Sequence, residues 1–281
     1  MSISAQDVKA LRESTGAGMM DCKRALVDAE GDIDRAIELL RERGLSKAGK
    51  RAGRETSEGT VAYAAEGGRG AIIELGCETD FVAKTPDFQE LAKRIVQAIS
   101  AVGDVSDVDA ALAVKVDGET VEDVIKAAVA KVGENIRLKR VASVEVSGVV
   151  GGYVHGVGTL GVLVALETDK SGPEIDQVVR DVSMHVAAHD PTPIAIDRDD
   201  MPAEVVEKER TFLTNQALES GKPENVVEKM VDGRINKFFA EHCLVEQKFV
   251  KDPDKSVRDI LTGVGQVARF VRFKLGEAAP E

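Results

Sequence analysis

The chain has few aromatic residues and few cysteines, and both shortages exclude classes of binding site. Its 281 residues include no Trp, two Tyr and eight Phe, so surfaces that stack nucleic-acid bases or sugar rings are scarce. Cys22, Cys77 and Cys243 lie far apart and form no Cys-x-x-Cys pair, which predicts neither a disulfide framework nor a zinc site. We interpret the three thiols as small core residues of a protein from the reducing cytoplasm.

Long apolar runs and an excess of basic residues are also missing. No stretch approaches the roughly 18 consecutive apolar residues that cross a bilayer, and the N-terminus lacks the basic and apolar regions of a signal peptide. With 37 Lys and Arg against 49 Asp and Glu, the net charge is −12, which argues against binding to phosphate backbones. We therefore expect a cytoplasmic globular protein of about two domains, with no membrane and no direct nucleic-acid partner.

The first 45 residues have the pattern of three short helices. Ser4 and Asp7 are spaced as a capping box, and glycines separate the apolar stripes that follow. The third stripe starts at Ile33, and Gly44 is expected to end its helix. Such a unit is too small for catalytic machinery, so we interpret residues 1–45 as a docking module. The basic, aperiodic residues 46–57 are interpreted as a solvated linker, helical at its start.

Beyond the linker the sequence repeats itself. Residues 59–80 read GTVAYAAEGGRGAIIELGCETD and residues 148–169 read GVVGGYVHGVGTLGVLVALETD. Each copy predicts a strand, a glycine-rich turn, a second strand and Glu-Thr-Asp, and an amphipathic helix follows. The fold class is therefore α+β, with a duplicated β-hairpin-plus-helix core formed by subdomain one (58–146) and subdomain two (147–281). We also expect a helix over 121–132 and strands over 136–146 and 268–275.

The second subdomain contains an insertion at about residues 200–243. Helical periodicity covers 203–220 and 224–243, with Val227, Val231, Ile235 and Phe238 on one face. Gly221, Lys222 and Pro223 form the predicted tip between the two helices. The insertion is thus expected to be an antiparallel helical hairpin.

Motifs that would indicate a cofactor or a metal are weak. The run Gly156-x-Gly158-x-x-Gly161 has the glycine spacing of a dinucleotide site, but a strand follows it where that site needs a helix. His185 and His189 are four residues apart on a predicted helix, without the acidic residue of a His-Glu-x-x-His site. We expect no cofactor and no metal, and keep a metal-dependent enzyme that uses the two histidines as a rival hypothesis.

The residues Thr79, Asp80, Phe81 and Val82, which we call the 79–82 turn, are the strongest functional candidate. Thr79 is a candidate N-cap, and the next helix restarts at residues 85–87, which leaves a short turn with Phe81 at the corner between a strand and that helix. The second copy has Lys170 at the position of Phe81, so the fold does not require an aromatic ring there. Phe81 is therefore a candidate interface anchor, and the alternative is that its ring packs beneath the first helix.

Two stretches of the chain resemble the bacterial elongation factor Ts family. They are LRESTGAGMMDCKRAL at 11–26 and ELGCETDFVAK at 74–84, in the order and spacing of that family. The resemblance extends over essentially the whole chain. It implies a cytoplasmic guanine-nucleotide exchange factor for elongation factor Tu, which makes and breaks no covalent bond. The implied architecture is an N-terminal module like a ubiquitin-associated domain, a core of two subdomains and a helical-hairpin insertion.

The resemblance also implies roles for individual residues. The 79–82 turn would enter the GTPase domain of elongation factor Tu near its Mg²⁺ site, with Asp80 and Phe81 intruding, and would dislodge the ion. Arg12, Met19 and Met20 would grip a helix of that domain, and His155 would make a further contact. Of the two methionines, we expect one in the module core and one exposed.

The sequence departs from the family at two places and leaves one role open. Gly76 stands where the family usually has a larger residue, commonly Asn. Longer members carry a further C-terminal helix that touches the partner, and contacts from that helix are expected to be missing here. The helical hairpin could pair two copies into a homodimer, contact the partner, or do neither.

The mechanism expected from the resemblance depends on the relative affinity of the protein for two forms of its partner. The protein would bind the nucleotide-free partner more tightly than the GDP form and so promote GDP release, after which GTP can rebind. The alternative is a non-catalytic adaptor that binds a GTPase without accelerating exchange.

Overall fold

The computed structural model describes residues 3–105, 107–219 and 223–277. It begins with three helices: α1 Ala5–Thr15, α2 Met19–Asp28 and α3 Ile33–Arg51. The predicted capping box is confirmed, because Asp7 N donates to Ser4 Oγ at 3.1 Å and Ser4 N donates to Asp7 Oδ2 at 3.0 Å. The small core of this module is aliphatic, and its main buried residues are Val8, Leu11, Cys22, Ala25, Leu26 and Ala36.

The next elements build a first sheet covered by helices. They are β1 Glu58–Glu66, β2 Arg69–Cys77, α4 Asp80–Ala83, α5 Pro86–Val102, α6 Val108–Ala113, β3 Lys115–Val116, β4 Glu119–Thr120, α7 Val121–Val132 and β5 Ile136–Glu145. The sheet is antiparallel in the order β1-β2-β5, so β5 closes this sheet before the chain enters the second hairpin. The apolar stripe of α5 packs on it through Phe88, Leu91, Ile95, Val96 and Ile99.

A second sheet follows with a matching arrangement of strands. Its elements are β6 Gly148–His155, β7 Leu160–Glu167, α8 Pro173–Ala188, α9 Ala203–Glu219, α10 Glu224–His242, a 3₁₀ turn Leu244–Glu246, β8 Lys248–Phe249, β9 Asp252–Ser256, α11 Val257–Leu261 and β10 Gln266–Lys274. The order is β10-β7-β6, all antiparallel. In each sheet the second strand of the hairpin is therefore the central strand.

The two sheets pack on each other through a shared aliphatic core. Its buried members are Val61, Ile72, Val144, Val150, Leu163 and Ala165. These residues alternate with the ones that face α5 and α8, as a sheet buried on both faces requires. The described part of the chain contains no helix that is long and apolar enough to cross a membrane.

The helical hairpin is formed by α9 and α10. Leu213 and Ala217 of α9 meet Val227, Val231 and Ile235 of α10 in a buried cluster, which confirms these three residues of the predicted apolar face. The prediction is wrong for Phe238, which packs against a separate cluster at the base of the hairpin. Of the predicted tip, Gly221 and Lys222 lie outside the described residues, and Pro223 precedes the first residue of α10.

The prediction that Gly44 ends the third helix is wrong. Helix α3 continues through Gly44 to Arg51 and takes in the start of the predicted linker. A Cβ added to Gly44 would lie 2.7 Å from the Cβ of Ala130 in α7. This glycine therefore permits a close approach between two helices, and the helix continues because that packing replaces the stop that the isolated sequence indicates.

Candidate functional site

The 79–82 turn consists of the N-cap and the first three residues of α4, and the following helix α5 has its own N-cap. Thr79 has extended backbone angles, and its Oγ1 accepts a hydrogen bond from Val82 N at 3.4 Å as the N-cap of α4. Thr85 caps α5 in the same way, accepting from Phe88 N at 3.3 Å, with Pro86 in the first turn. The N-cap predicted at Thr79 is confirmed. The single turn of α4 is closed at both ends by side-chain hydroxyls, because Thr85 Oγ1 also donates to Val82 O at 2.8 Å.

Phe81 projects from this turn into solvent. Its side chain is 81% exposed, so the alternative in which the ring packs beneath a helix is wrong. Val82 is partly buried against the core of the first sheet, and Asp80 accepts a hydrogen bond from Lys84 Nζ at 2.6 Å. That hydrogen bond lowers the pKa of Asp80. The turn thus presents an aromatic ring and an ionised carboxylate side by side on a rigid support.

A carboxylate that the sequence analysis missed anchors the turn from the other side. Glu134, in the loop between α7 and β5, accepts hydrogen bonds from Glu78 N at 3.1 Å and Thr79 N at 3.0 Å through Oε2. Its Oε1 accepts from Thr79 Oγ1 at 2.7 Å. In the opposite direction, Glu78 Oε1 accepts a hydrogen bond from Asn135 N at 2.6 Å. The only feature of the sequence that could have indicated this anchor is the polar pair Glu134-Asn135, between Gly133 and the start of a predicted strand.

The same loop holds the segment that leaves the N-terminal module. The buried side chain of Asn135 donates through Nδ2 to Arg54 O at 2.7 Å. The guanidinium of Arg54 in turn lies 3.3 Å from the carboxylate of Glu78. The end of β2, the start of β5 and the segment after α3 therefore meet at one point.

Cys77, directly before the turn, is buried and its Sγ lies 3.2 Å from Thr79 O. Burial, with a further contribution from the charge of Glu134, raises the pKa of this thiol to about 12. Cys22 and Cys243 are buried as well. All three behave as the small core residues that the sequence predicts.

Arg12, Met19 and Met20 lie on the N-terminal module. Arg12 is exposed on α1, and the two methionines of the first turn of α2 are 48% and 62% exposed. The expectation that one methionine belongs to the module core is wrong, because Cys22, Ala25 and Leu26 already fill the inward face of α2. The module thus offers two flexible thioethers to solvent.

His155 lies at the end of β6, at the turn of the second hairpin. Its Nδ1 lies 3.0 Å from the hydroxyl of Tyr153, and the ring is exposed. The turn is seated on β1, since Val61 N donates to Gly158 O at 2.8 Å and Thr60 Oγ1 lies 3.2 Å from Val157 O.

A short chain of polar contacts connects this hairpin turn to α4. Thr60 Oγ1 also lies 3.4 Å from Gln89 Oε1, and Gln89 Nε2 donates to Ala83 O at 2.7 Å. The structure therefore connects the turn beside His155 to the 79–82 turn through β1 and α5.

His185 and His189 have the surroundings of structural histidines. His185 is fully buried; its Nδ1 accepts from Val250 N at 3.2 Å, which leaves Nε2 to donate to Gln247 Oε1 at 2.9 Å. Burial, reinforced by His189, lowers the pKa of His185 to about 4. His189 Nδ1 lies 2.9 Å from Pro191 O. Among the described residues, no group of three or more His, Cys, Asp or Glu side chains is placed to hold a metal ion.

Gly76 is surrounded by side chains that occupy the space a larger residue would need. A Cβ at this position would lie 2.8 Å from Lys139 Cδ and 2.9 Å from Thr56 Oγ1. Thr56 and Lys139 therefore fill the space beside Gly76. It lies at the end of β2 and leaves the capping of the 79–82 turn intact.

Comparison with known proteins identifies the family to which the chain belongs. The family model described as elongation factor TS matches residues 78–277. Curated proteins named elongation factor Ts are similar over nearly the full chain. The one from Aquifex aeolicus is 44% identical, covering 98% of this chain and 99% of its own length. The one from Alkalilimnicola ehrlichii is 48% identical and covers 99% of this chain and 93% of its own length. The one from Chromobacterium violaceum is 48% identical and covers 98% of this chain and 92% of its own length. With this similarity across both chains, the protein belongs to the elongation factor Ts family.

Proposed function

We propose that this protein binds elongation factor Tu in its GDP and nucleotide-free forms, dislodges Mg²⁺ and promotes GDP release so that GTP can rebind. Membership of the family supports a role in translation elongation. The observation that best supports this mechanism is the exposure of Phe81, an aromatic residue on a turn capped at both ends. Such a ring is ready to enter a partner without any rearrangement of its own chain.

The chemistry of exchange requires no covalent step and no residue that transfers a proton. Phe81 acts as a wedge, and Asp80 supplies a polar contact once it leaves Lys84. That ion pair is exposed, with side chains 47% and 62% accessible, so exchanging it for a contact in the partner costs little. Removing Mg²⁺ takes a large positive charge from the phosphates of GDP, so the nucleotide leaves faster.

Binding of this protein and binding of GDP to elongation factor Tu are thermodynamically coupled. The protein accelerates GDP release only as far as it binds the nucleotide-free partner more tightly than the GDP form, and GDP must weaken its binding by the same factor. Arg12, Met19 and Met20 on the module, and His155 beside the second hairpin turn, supply binding energy away from the nucleotide. Exposed methionines adapt to irregular partner surfaces, which suits this role.

We also propose a division of the chain into functional parts. The module of residues 1–45 is like a ubiquitin-associated domain, and the connecting segment 46–57 begins inside α3. The subdomains 58–146 and 147–281 are copies of one unit, which their equal strand order and repeated Glu-Thr-Asp turns support. Like other translation factors, the protein acts in the cytoplasm, without a cofactor, a membrane or direct contact with nucleic acid. The helical hairpin is the candidate surface for a homodimer.

The test is release of a fluorescent GDP analogue from elongation factor Tu, with and without this protein, at low and high Mg²⁺. We expect acceleration by substoichiometric amounts, and weaker acceleration at high Mg²⁺ because the free ion competes with its displacement. Binding without acceleration would contradict the proposal and leave the non-catalytic adaptor.

A further inference from the structure

Glu134 accepts three hydrogen bonds at the start of the 79–82 turn. Its carboxylate accepts from two successive backbone N–H groups, those of Glu78 and Thr79, and from the hydroxyl of Thr79, all within 3.1 Å. The side chain is half-buried, so these bonds are only partly replaced by water when they break. Hydrogen bonds to a charged acceptor are among the stronger ones in proteins.

The bond to Thr79 also decides what the hydroxyl can do. A hydroxyl has one hydrogen and two lone pairs. Because Glu134 takes the hydrogen of Thr79 Oγ1, a lone pair is directed at Val82 N and closes the first turn of α4. The carboxylate therefore sets the cap of the short helix whose first two residues are Asp80 and Phe81.

The second Glu-Thr-Asp turn provides an internal comparison. Thr168 Oγ1 donates to Val264 O at 2.6 Å, in the loop before β10, just as Thr79 Oγ1 donates into the loop before β5. There the acceptor is one backbone carbonyl, and no helix forms between β7 and α8. A sheet of this kind thus closes without a carboxylate, and the carboxylate is present where a helical turn carries Phe81.

We propose that Glu134 is a positioning residue for nucleotide exchange: it fixes the 79–82 turn in the conformation that presents Asp80 and Phe81 to the partner. The inference rests on the proposed function. Its physical content is preorganisation, because a turn that is ordered before binding loses less conformational freedom on binding. In enzyme active sites, misplacement of a group by about 1 Å can cost roughly 100-fold in rate, and we expect the same kind of dependence on geometry here.

Asn135 extends the same anchor to the N-terminal module. Its backbone N–H donates to Glu78, next to the turn, and its buried amide holds Arg54 O in the segment after α3. The pair Glu134 and Asn135 therefore also limits how far the module can move relative to the turn.

The experiment compares Glu134→Ala, Glu134→Gln and Glu145→Ala in the full chain. Glu134→Ala removes all three bonds. Glu134→Gln keeps the shape and one accepting oxygen, but its NH₂ group then faces either the two N–H groups or the Thr79 hydroxyl and cannot accept from them. Glu145→Ala is the matched control, because Glu145 lies on β5 and makes an exposed ion pair with Arg69. GDP release from elongation factor Tu, the melting temperature, and hydrogen exchange at the amides of residues 78 and 79 are measured for each.

We expect Glu134→Ala to accelerate GDP release at least about tenfold less than the wild type, with faster amide exchange at residues 78 and 79. Glu134→Gln should recover only part of both losses, because it cannot accept all three hydrogen bonds, and Glu145→Ala should match the wild type. If Glu134 acts through the turn, the losses from Glu134→Ala and Phe81→Ala should combine less than additively, with only the contribution of Asp80 left to lose in the double variant. Equal rates for Glu134→Ala and wild type, or fully additive losses, would overturn the proposal.

Two further comparisons cover a Glu134→Ala variant that does not fold and a wild type that does not accelerate release. If Glu134→Ala does not fold, Thr79→Val replaces the hydroxyl by a methyl group and keeps the two backbone N–H bonds, and Thr79→Ser restores the hydroxyl. Wild-type release with Thr79→Val would overturn the role of the helix cap that Glu134 sets. Failure of the wild type itself to accelerate release would instead refute the proposed function. In that case amide exchange at residues 78 and 79 still reports whether Glu134 orders the turn.

Discussion

Replacing Phe81 with Ala should damage exchange far more than folding. The ring is 81% exposed, so little of its apolar surface contributes to the folded state. Surface substitutions of this kind change stability by about 0.5 kcal/mol, against about 3–5 kcal/mol for a buried Phe. The melting temperature of Phe81→Ala should therefore stay within a few degrees of the wild type.

The same exposure sets the upper limit of the effect on exchange. A Phe side chain can bury about 200 Å², and most of it is still available to a partner. At about 25 cal/mol per Å² the full contact is worth up to ~4 kcal/mol. If a third of this is realised only in the nucleotide-free complex, acceleration of GDP release falls about tenfold.

The assay is release of a fluorescent GDP analogue from elongation factor Tu at fixed Mg²⁺, with the melting temperature measured in parallel. Phe212→Ala is the matched control, because Phe212 is also exposed, at 60%, but lies on α9 of the helical hairpin. Wild-type acceleration by a folded Phe81→Ala protein would refute the wedge role. A large drop in its melting temperature would refute the reasoning from exposure.

Two further predictions concern stability. Gly44→Ala should destabilise the protein despite the better helix propensity of Ala, because its Cβ would lie 2.7 Å from that of Ala130. Gly49→Ala is the control, because open space surrounds Gly49, and it should stabilise α3 by up to about 1 kcal/mol. Urea denaturation measures both variants, and a stabilised Gly44→Ala would show that the two helices do not meet there. His185 has a pKa of about 4 when folded, below its ordinary 6.5, so its contribution is complete above pH 6.5 and is lost as the pH falls towards 4, by up to about 3 kcal/mol. His185→Gln should flatten the pH dependence of unfolding in this window and His155→Gln should not; an unchanged profile in His185→Gln would contradict the assignment.

Much of the candidate site was predictable because its signals are local. The cap at Thr79 and the exposure of Phe81 followed from a short stretch of sequence and from the comparison with Lys170 in the second copy. The anchor at Glu134 was not predictable, since Thr79 and Glu134 are 55 residues apart and meet only after β5 pairs with β2. No periodicity or motif records that pairing.

The sequence by itself determined the capped helices, both β-hairpins and the apolar faces of α5 and of the helical hairpin, because caps, turns and hydrophobic periods act over a few residues. Tertiary structure decided whether Gly44 ends a helix or admits Ala130, and which oxygen receives the hydrogen of Thr79. The physical reason is the same in both cases. A glycine or a carboxylate has several favourable local environments, and only the neighbours brought by long-range packing select one of them.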